Sequence, residues 1–187
     1  MAIEASRGCA YACNFCSIPA CQRLAGEARR RRLRDPHAVA CEMATIVDTF
    51  CLKDFWFMDA DVLGPPGQRK HTLARARAIA KLPRDITLEI DARADSIPPE
   101  IIRAFQAAGL KRCFVGVDSF DGPTLTRLAK GTPPETNLRA IETLQYHGVR
   151  PIIGIIMFHP ASTLGQLRKD HHVLRSIGYE KPICSSG

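Results

Sequence analysis

The stretch GVRPIIGIIMF at residues 148–158 decides the fold class, because a helix stop is followed at once by an apolar strand. Gly148 ends a helix with apolar residues at helical spacing, and residues 151–158 are apolar throughout, as in a strand covered on both faces. A similar helix stop before a strand recurs at Gly109 and Gly178. Such alternation predicts a parallel sheet, either open and doubly wound or curved into a partial barrel.

Five strand–helix units follow one another along the chain, and a sixth strand is expected to begin near residues 182–184. The predicted strands are residues 3–6, 54–58, 86–91, 112–117 and 151–158. Asp35 and Pro36 begin the first long helix, as its N-cap and its first helical residue. Ligands bind at the carboxyl ends of parallel strands, so polar residues at those ends are the candidate site residues.

The composition excludes several classes of protein. The chain has 187 residues, of which 45% are hydrophobic and 24% charged, and this is typical of a folded protein. Its longest apolar run, residues 152–158, is too short to cross a membrane. The first six residues carry no apolar signal region. We therefore expect a cytoplasmic protein with no membrane partner.

The net charge of +7 comes largely from an arginine run at residues 29–34, where Arg29 to Arg32 and Arg34 cluster. A basic balance can indicate a nucleic-acid partner. Aromatic residues make up only 6% of the chain, so no basic surface with interleaved aromatic side chains is indicated. We expect no specific nucleic-acid binding, and we interpret the arginine run as a solvated loop.

The chain has eight cysteines, and three of them, Cys9, Cys13 and Cys16, fall within eight residues. Thiolates are soft ligands that suit iron–sulfur clusters and zinc. A structural zinc site normally uses four ligands in two separated pairs, whereas three cysteines would leave one iron of a 4Fe-4S cluster without a protein ligand. A zinc loop is the alternative. The remaining cysteines at apolar positions, Cys41, Cys51 and Cys113, are predicted to pack in the core.

The segment SRGCAYACNFCSIP, residues 6–19, resembles the cluster loop of the radical S-adenosylmethionine (SAM) enzymes. Its flanks are most similar to the branch that holds methylthiotransferases and cobalamin-dependent enzymes. Other segments that resemble this branch are residues 57–64, 91–95, 116–119, 130–132 and 152–156. The resemblance implies an α/β fold, a partial (β/α) barrel of parallel strands with outer helices, truncated before or within the sixth strand. Residues 1–187 would form this core, with the cluster loop at residues 7–21.

The resemblance also implies a function. Cys9, Cys13 and Cys16 would hold a 4Fe-4S cluster whose free iron binds SAM, and SAM cleavage would yield a 5′-deoxyadenosyl radical. That radical would serve a methylation or related modification of an unknown, small-molecule substrate. A flavodoxin or ferredoxin would donate the electron. Cobalamin is possible, but its binding domain is not in this chain.

Individual residues take roles from the same resemblance. Phe15 would lie against the adenine, Asp59 or Asp61 near the SAM amino group and Arg93 near its carboxylate. Asp118 or Ser119 would lie near the ribose hydroxyls. Charge and hydrogen-bonding capacity favour these pairings.

Simpler interpretations stand beside these roles. The acids could be turn residues, Ser119 could cap a helix, and His159, after the fifth strand, could be structural. The competing function is a non-catalytic iron–sulfur or zinc binding module, or an inactive fragment. A core that ends before its sixth strand should also leave apolar positions of its first and fifth strands partly uncovered.

Overall fold

The computed structural model describes residues 1–26, 31–82 and 85–179. Its strands are β1 (Ala2–Ile3), β2 (Ser6–Arg7), β3 (Arg32–Leu33), β4 (Asp54–Phe57), β5 (Thr87–Arg93), β6 (Leu110–Asp118) and β7 (Arg150–Ile155). Its helices are α1 (Ser17–Leu24), α2 (Pro36–Phe50), α3 (Arg69–Ala80), α4 (Pro99–Ala107), α5 (Gly122–Arg127), α6 (Pro134–Tyr146) and α7 (Leu164–Ser176).

Five parallel strands form one sheet in the order β1-β4-β5-β6-β7. Each new strand is added on the same side of the preceding one, so the order follows the chain without a reversal. A doubly wound sheet reverses its strand order at a switch point, whereas a (β/α) barrel does not. The sheet is therefore of the partial-barrel type, and the predicted fold class is confirmed.

The two faces of the sheet differ in chemistry. Alternate residues of β4 to β6 are buried in the apolar core; they are Phe55, Phe57, Leu88, Ile90, Ala92, Cys113, Val115 and Val117. The intervening residues, including Trp56, Asp91 and Phe114, are only partly covered and face the barrel interior. One face thus supplies stability, and the other is available for binding.

The predicted first strand, residues 3–6, is divided into two short strands. β1 joins the main sheet, while β2 pairs antiparallel with β3, with Ser6 opposite Leu33 and Arg7 opposite Arg32. This ladder joins the two ends of the cysteine-containing segment. We refer to the β2–β3 pair as the clasp.

The clasp also corrects the interpretation of the arginine run. Arg31 is only 9% exposed, because its guanidinium donates to the carbonyl oxygens of Asp61 (2.6 Å) and Val62 (2.9 Å) and to Ser6 Oγ (3.1 Å). A solvated position was therefore the wrong prediction for this residue. Arg29 and Arg30 lie outside the described residues.

The fifth predicted strand is not covered on both faces. It is β7, the last strand of the sheet in the described part of the chain, and of its six residues only Ile153 is buried. The N–H of Ile153 donates to the hydroxyl of Tyr179 at 2.9 Å. The prediction of two covered faces for residues 151–158 was therefore wrong. The expected partial exposure is observed for the fifth strand but not for the first, where Ile3 is 4% exposed and Ala5 is fully buried.

The helices mostly begin where the sequence predicts. Asp35 caps α2, since its Oδ1 accepts from the N–H groups of His37 (3.0 Å) and Ala38 (2.9 Å). No helix in the described ranges is both long and apolar enough to cross a membrane. The predicted sixth strand near residues 182–184, and with it Cys184, lies outside the described residues.

Two of the three cysteines predicted to pack in the core do not. Cys113 is fully buried on β6, but Cys41 and Cys51 are exposed. Cys41 lies on the solvent side of α2, and Cys51 is the left-handed C-cap of that helix with φ 56°. Burial raises the pKa of the Cys113 thiol.

This difference predicts the order of thiol alkylation. In native protein treated with iodoacetamide at pH 8, Cys41 and Cys51 should be modified rapidly, while Cys113 stays unmodified because it is inaccessible and protonated. Peptide mass spectrometry measures each site. In 6 M guanidinium chloride all three should react, and native modification of Cys113 as fast as Cys41 would contradict the structure.

Candidate functional site

Three cysteines of one loop line a single cavity. The loop runs from β2 to α1, and Cys16 is the N-cap of α1. Cys9 and Cys13 are buried, Cys16 is half-buried, and all three line a cavity of about 250 Å³. The backbone N–H of Asn14 donates to the carbonyl of Leu128 at 3.2 Å, which attaches the loop to the end of α5.

Six predicted site residues lie around this cavity: Cys9, Cys13, Cys16, Phe15, Arg93 and Asp118. Arg93 and Asp118 are the last residues of β5 and β6, where the parallel-sheet rule places a ligand site. Phe15 is 44% exposed, so its ring is not consumed by core packing. The structure therefore brings together the cysteine loop and the ends of two strands.

Arg93 makes the largest set of contacts in the site. Its Nη1 donates to Cys13 Sγ at 3.1 Å, and its Nη2 donates to the carbonyl of Lys130 at 2.7 Å. Asp95 accepts from its Nε at 2.9 Å, and the guanidinium lies 3.7 Å from the ring centroid of Tyr11. Burial acts to lower the pKa of Arg93, but Asp95 outweighs burial and the net pKa is raised. Arg93 is thus a fixed positive charge beside the cysteines.

Asp118 and Lys130 form a second charged pair in the cavity wall. Lys130 Nζ lies 2.5 Å from Asp118 Oδ2, and both side chains are at most 10% exposed. Asp118 has φ 65°, a left-handed conformation, next to a register shift between β6 and β7. Gly116 makes room for the lysine, because a Cβ there would lie 3.1 Å from Nζ. The strand end is therefore bent so that a carboxylate and an ammonium group meet at the cavity.

The predicted acids Asp59 and Asp61 do not line the cavity. Asp59 accepts from the N–H of Ala5 at 2.9 Å and from the hydroxyl of Ser6, while Asp61 accepts from Ser96 Oγ at 3.0 Å. Both are 2% exposed, and burial raises the pKa of Asp61. Their carboxylates hold the turn after β4 against β2 and β5, and it is Ala60 between them that lines the cavity.

Two buried arginines also hold the turn after β4 in place. Arg31 and Arg75 both donate to the carbonyl of Val62, and Arg75 is fully buried on α3. Burial lowers the pKa of Arg75 to about 10. Gly64, with φ 71°, is required here because a Cβ would overlap the Arg31 guanidinium. The turn is therefore fixed by hydrogen bonds from both sides.

Ser119 is fully buried and also lies outside the cavity wall. Its hydroxyl donates to the carboxylate of Asp170 at 3.0 Å and accepts from the N–H of Asp121 at 3.0 Å. Asp170 accepts in addition from the N–H of Phe120 (2.6 Å) and from Gln166 Nε2 (2.9 Å). This cluster ties α7 to the segment that follows Asp118.

In the described part of the chain, the hydrogen bonds of His159 are made within its own turn. Its Nδ1 accepts from the N–H of Ala161 at 3.2 Å, and its backbone N–H donates to Ser162 Oγ at 2.8 Å. In the part of the chain that the structure describes, no three His, Cys, Asp or Glu side chains are already gathered as a set of metal ligands. The three thiols share one cavity wall without converging on a point.

Sequence reasoning assigned no role to Tyr11 and Lys130. Both lie inside segments that carry the family resemblance, so their positions gave a signal, but their contacts depend on Arg93 and Asp118 from distant parts of the chain. Asp91 and Phe114 also line the cavity. Asp91 begins the segment 91–95 that resembles the family, whereas Phe114 lies outside the resembling segments and alternates with core residues along β6.

Comparison of this sequence with models of protein families identifies one family. Residues 3–174 match the sequence model of the Radical SAM superfamily. An anaerobic magnesium-protoporphyrin IX monomethyl ester cyclase from Synechocystis sp. is 30% identical over 149 residues, covering 79% of this chain and 28% of the cyclase. A hopanoid C-2 methylase from Rhodopseudomonas palustris is 27% identical over 166 residues, covering 83% of this chain and 29% of the methylase. The chain thus spans less than a third of these curated relatives.

Solved structures share the fold. OxsB, a cobalamin-dependent S-adenosylmethionine radical enzyme solved with aqua-cobalamin and S-adenosylmethionine, aligns with a TM-score of 0.79 at 24% identity, covering 92% of this chain and 26% of OxsB. TsrM from Kitasatospora setae, a radical S-adenosylmethionine methyltransferase solved with cobalamin and a 4Fe-4S cluster, gives 0.81 at 19% identity, covering 94% and 34%. At these identities the likeness supports the partial-barrel fold alone.

Asp170 offers a test of how the site is supported. Asp170→Ala removes a buried acceptor from Ser119, Phe120 and Gln166, and should lower the free energy of unfolding by about 2–4 kcal/mol. Urea denaturation followed by circular dichroism measures it. Glu142→Ala, at an exposed position of α6, is the control and should change stability by less than about 0.5 kcal/mol. Equal stability of the two variants would refute the anchoring of α7 by Asp170.

Proposed function

Since this chain belongs to the radical SAM superfamily, we propose that residues 1–187 form the core of an enzyme that binds a 4Fe-4S cluster and SAM. We assign the cluster loop to residues 7–21. The reaction would be a radical modification, methylation or a related one, of a small molecule. The observation that carries this proposal is that Cys9, Cys13 and Cys16 line one cavity together with the ends of two neighbouring strands.

The residues around the cavity fit an iron–sulfur cluster. Three thiolates are the soft donors that iron–sulfur clusters require, and Arg93 supplies a positive charge 3.1 Å from Cys13 Sγ to offset their negative charge. Burial raises the pKa of the Cys9 thiol, so loading of the cluster would release a proton there. When bound, a cluster held by three cysteines supplies one electron to the sulfonium of SAM, which yields methionine and a 5′-deoxyadenosyl radical.

The chain's own residues would bind and orient SAM. Phe15 offers an exposed ring for the adenine, and Asp118 offers carboxylate oxygens for the ribose hydroxyls. Ser119 would position Asp118 through Asp170 rather than contact SAM, since its hydroxyl is already committed. Arg93 would face the SAM carboxylate. The amino group would approach the turn at Ala60, which Asp59 and Asp61 hold in place.

Partners and cobalamin are part of the same proposal. We assign the electron to a reduced flavodoxin or ferredoxin and the protein to the cytoplasm, where thiols stay reduced. Cobalamin, with which the OxsB and TsrM structures were solved, would be held by a segment outside residues 1–187.

Separate replacement of each loop cysteine tests the proposal. After anaerobic reconstitution with iron and sulfide, Cys9→Ser, Cys13→Ser and Cys16→Ser should each lose most of the bound iron. Formation of 5′-deoxyadenosine from SAM with dithionite should fall about 100-fold or more, because each variant removes one of the three thiolates to which the cluster is assigned. Iron analysis and chromatography of the nucleoside provide the two measurements.

Cys21→Ser is the matched control, since Cys21 is an exposed thiol on the adjacent helix α1. It should retain iron and nucleoside formation. A reconstituted cluster whose spectrum does not respond to SAM would instead support a non-catalytic iron–sulfur module. A tetrahedral zinc in the purified chain would support a zinc loop.

A further inference from the structure

The barrel-facing side of the sheet carries a carboxylate that has no cation partner among residues 1–26, 31–82 and 85–179. Asp91 lies on β5 two residues before Arg93 and lines the cavity of the three cysteines. Among the described residues its carboxylate has one hydrogen-bond partner, Trp56 Nε1, at 3.3 Å from Oδ1. The nearby cations are engaged elsewhere, Arg93 with Asp95 and Lys130 with Asp118.

The other acid on this face of β5, two residues before Asp91, does have a cation partner. Glu89, one pleat further from the cysteines, pairs with Arg112 at 2.7 Å, so its charge is balanced. Burial raises the pKa of Asp91, and the negative charges of Glu89 and Asp59 raise it further against the hydrogen bond from Trp56. An added positive charge would therefore be attracted to Asp91, whereas Glu89 already has a cation partner.

Aromatic residues lie on both strands that flank Asp91, and the ring of Phe114 is directed over Gly154 of β7. Phe114 of β6 is directly opposite Asp91 in the sheet register and lines the same cavity, and Trp56 of β4 reaches Asp91 from the other side. Their exposed fractions, 39% for Phe114 and 44% for Trp56, show that neither ring is used up by core packing. A carboxylate beside aromatic rings favours an organic cation, through charge attraction and cation–π contact.

We propose that Asp91 is a specificity-determining residue that binds a positively charged amine of the substrate between Trp56 and Phe114. This inference rests on the proposed function, because it places the substrate in the cavity that the cysteines line. It names the substrate class: a molecule with an ammonium group close to the carbon or hydrogen that reacts. A neutral molecule would leave the charge of the half-buried Asp91 carboxylate uncompensated.

Trp56 is the only tryptophan of the chain and reports directly on this position, since its indole N–H donates to Asp91. The probes are phenethylamine and its neutral counterpart phenethyl alcohol, titrated into the ¹⁵N-labelled full chain after anaerobic reconstitution. The amine should shift the single indole N–H resonance and bind at least about tenfold more tightly than the alcohol. Equal binding of the two probes would overturn the proposal.

Substitutions at Asp91 and Glu89 test whether the preference for the amine depends on the Asp91 carboxylate. Asp91→Asn should weaken phenethylamine binding about tenfold, whereas Asp91→Glu, which keeps the charge, should retain the preference for the amine. Glu89→Gln is the matched control and should change the dissociation constant by less than about twofold, because Glu89 is already paired. Unchanged binding in a folded Asp91→Asn variant, or an equal loss in Glu89→Gln, would contradict the assignment.

The radical SAM activity and the binding of an amine at Asp91 are tested by separate measurements, so either can be refuted without the other. Formation of 5′-deoxyadenosine by the unmodified chain is measured in parallel and without either probe. Its absence would refute the radical SAM activity and leave the amine titration interpretable, while activity without amine preference would refute the role of Asp91 alone.

Discussion

The guanidinium of Arg93 is the contact on which the rest of the site depends. It joins three parts of the chain, since it donates to Asp95 after β5 and to the carbonyl of Lys130, and it contacts both Cys13 and Tyr11 in the cysteine loop. A buried cation is costly unless its donors are satisfied. If the loop moved away from the sheet, Arg93 would keep Asp95 but lose its hydrogen bond to Cys13 and its contact with Tyr11, which links the position of the thiols to the end of β5.

The two faces of the sheet serve different purposes: one is packed against helices and stabilises the fold, and the other carries polar side chains in the barrel interior. The helix-covered face is almost wholly apolar, from Phe55 on β4 to Val117 on β6. The barrel face carries the Glu89–Arg112 pair and Asp91, whose carboxylate accepts from Trp56. Because side chains alternate along a strand, the same residues that build the core fix which polar side chains face the cavity.

The element order and the cysteine loop were predictable because both depend on local sequence. Helix stops such as Gly148, the cap at Asp35 and the spacing of Cys9, Cys13 and Cys16 need no distant partner. The buried state of Arg31, the pairing of Lys130 with Asp118 and the commitment of Ser119 to Asp170 each join residues far apart in sequence. Local sequence patterns do not encode such partners, so the arginine run was interpreted as a solvated loop and Ser119 as a ribose contact or a helix cap.

The clasp restricts the segment between its two strands. The ladder between Ser6–Arg7 and Arg32–Leu33 brings together the two ends of the long segment that carries the thiols. Polypeptide hydrogen bonds and the buried Arg31 therefore offset part of the entropy lost on closing that segment. The ladder thus fixes the span between the two ends of the segment, whatever conformation the residues between those ends adopt.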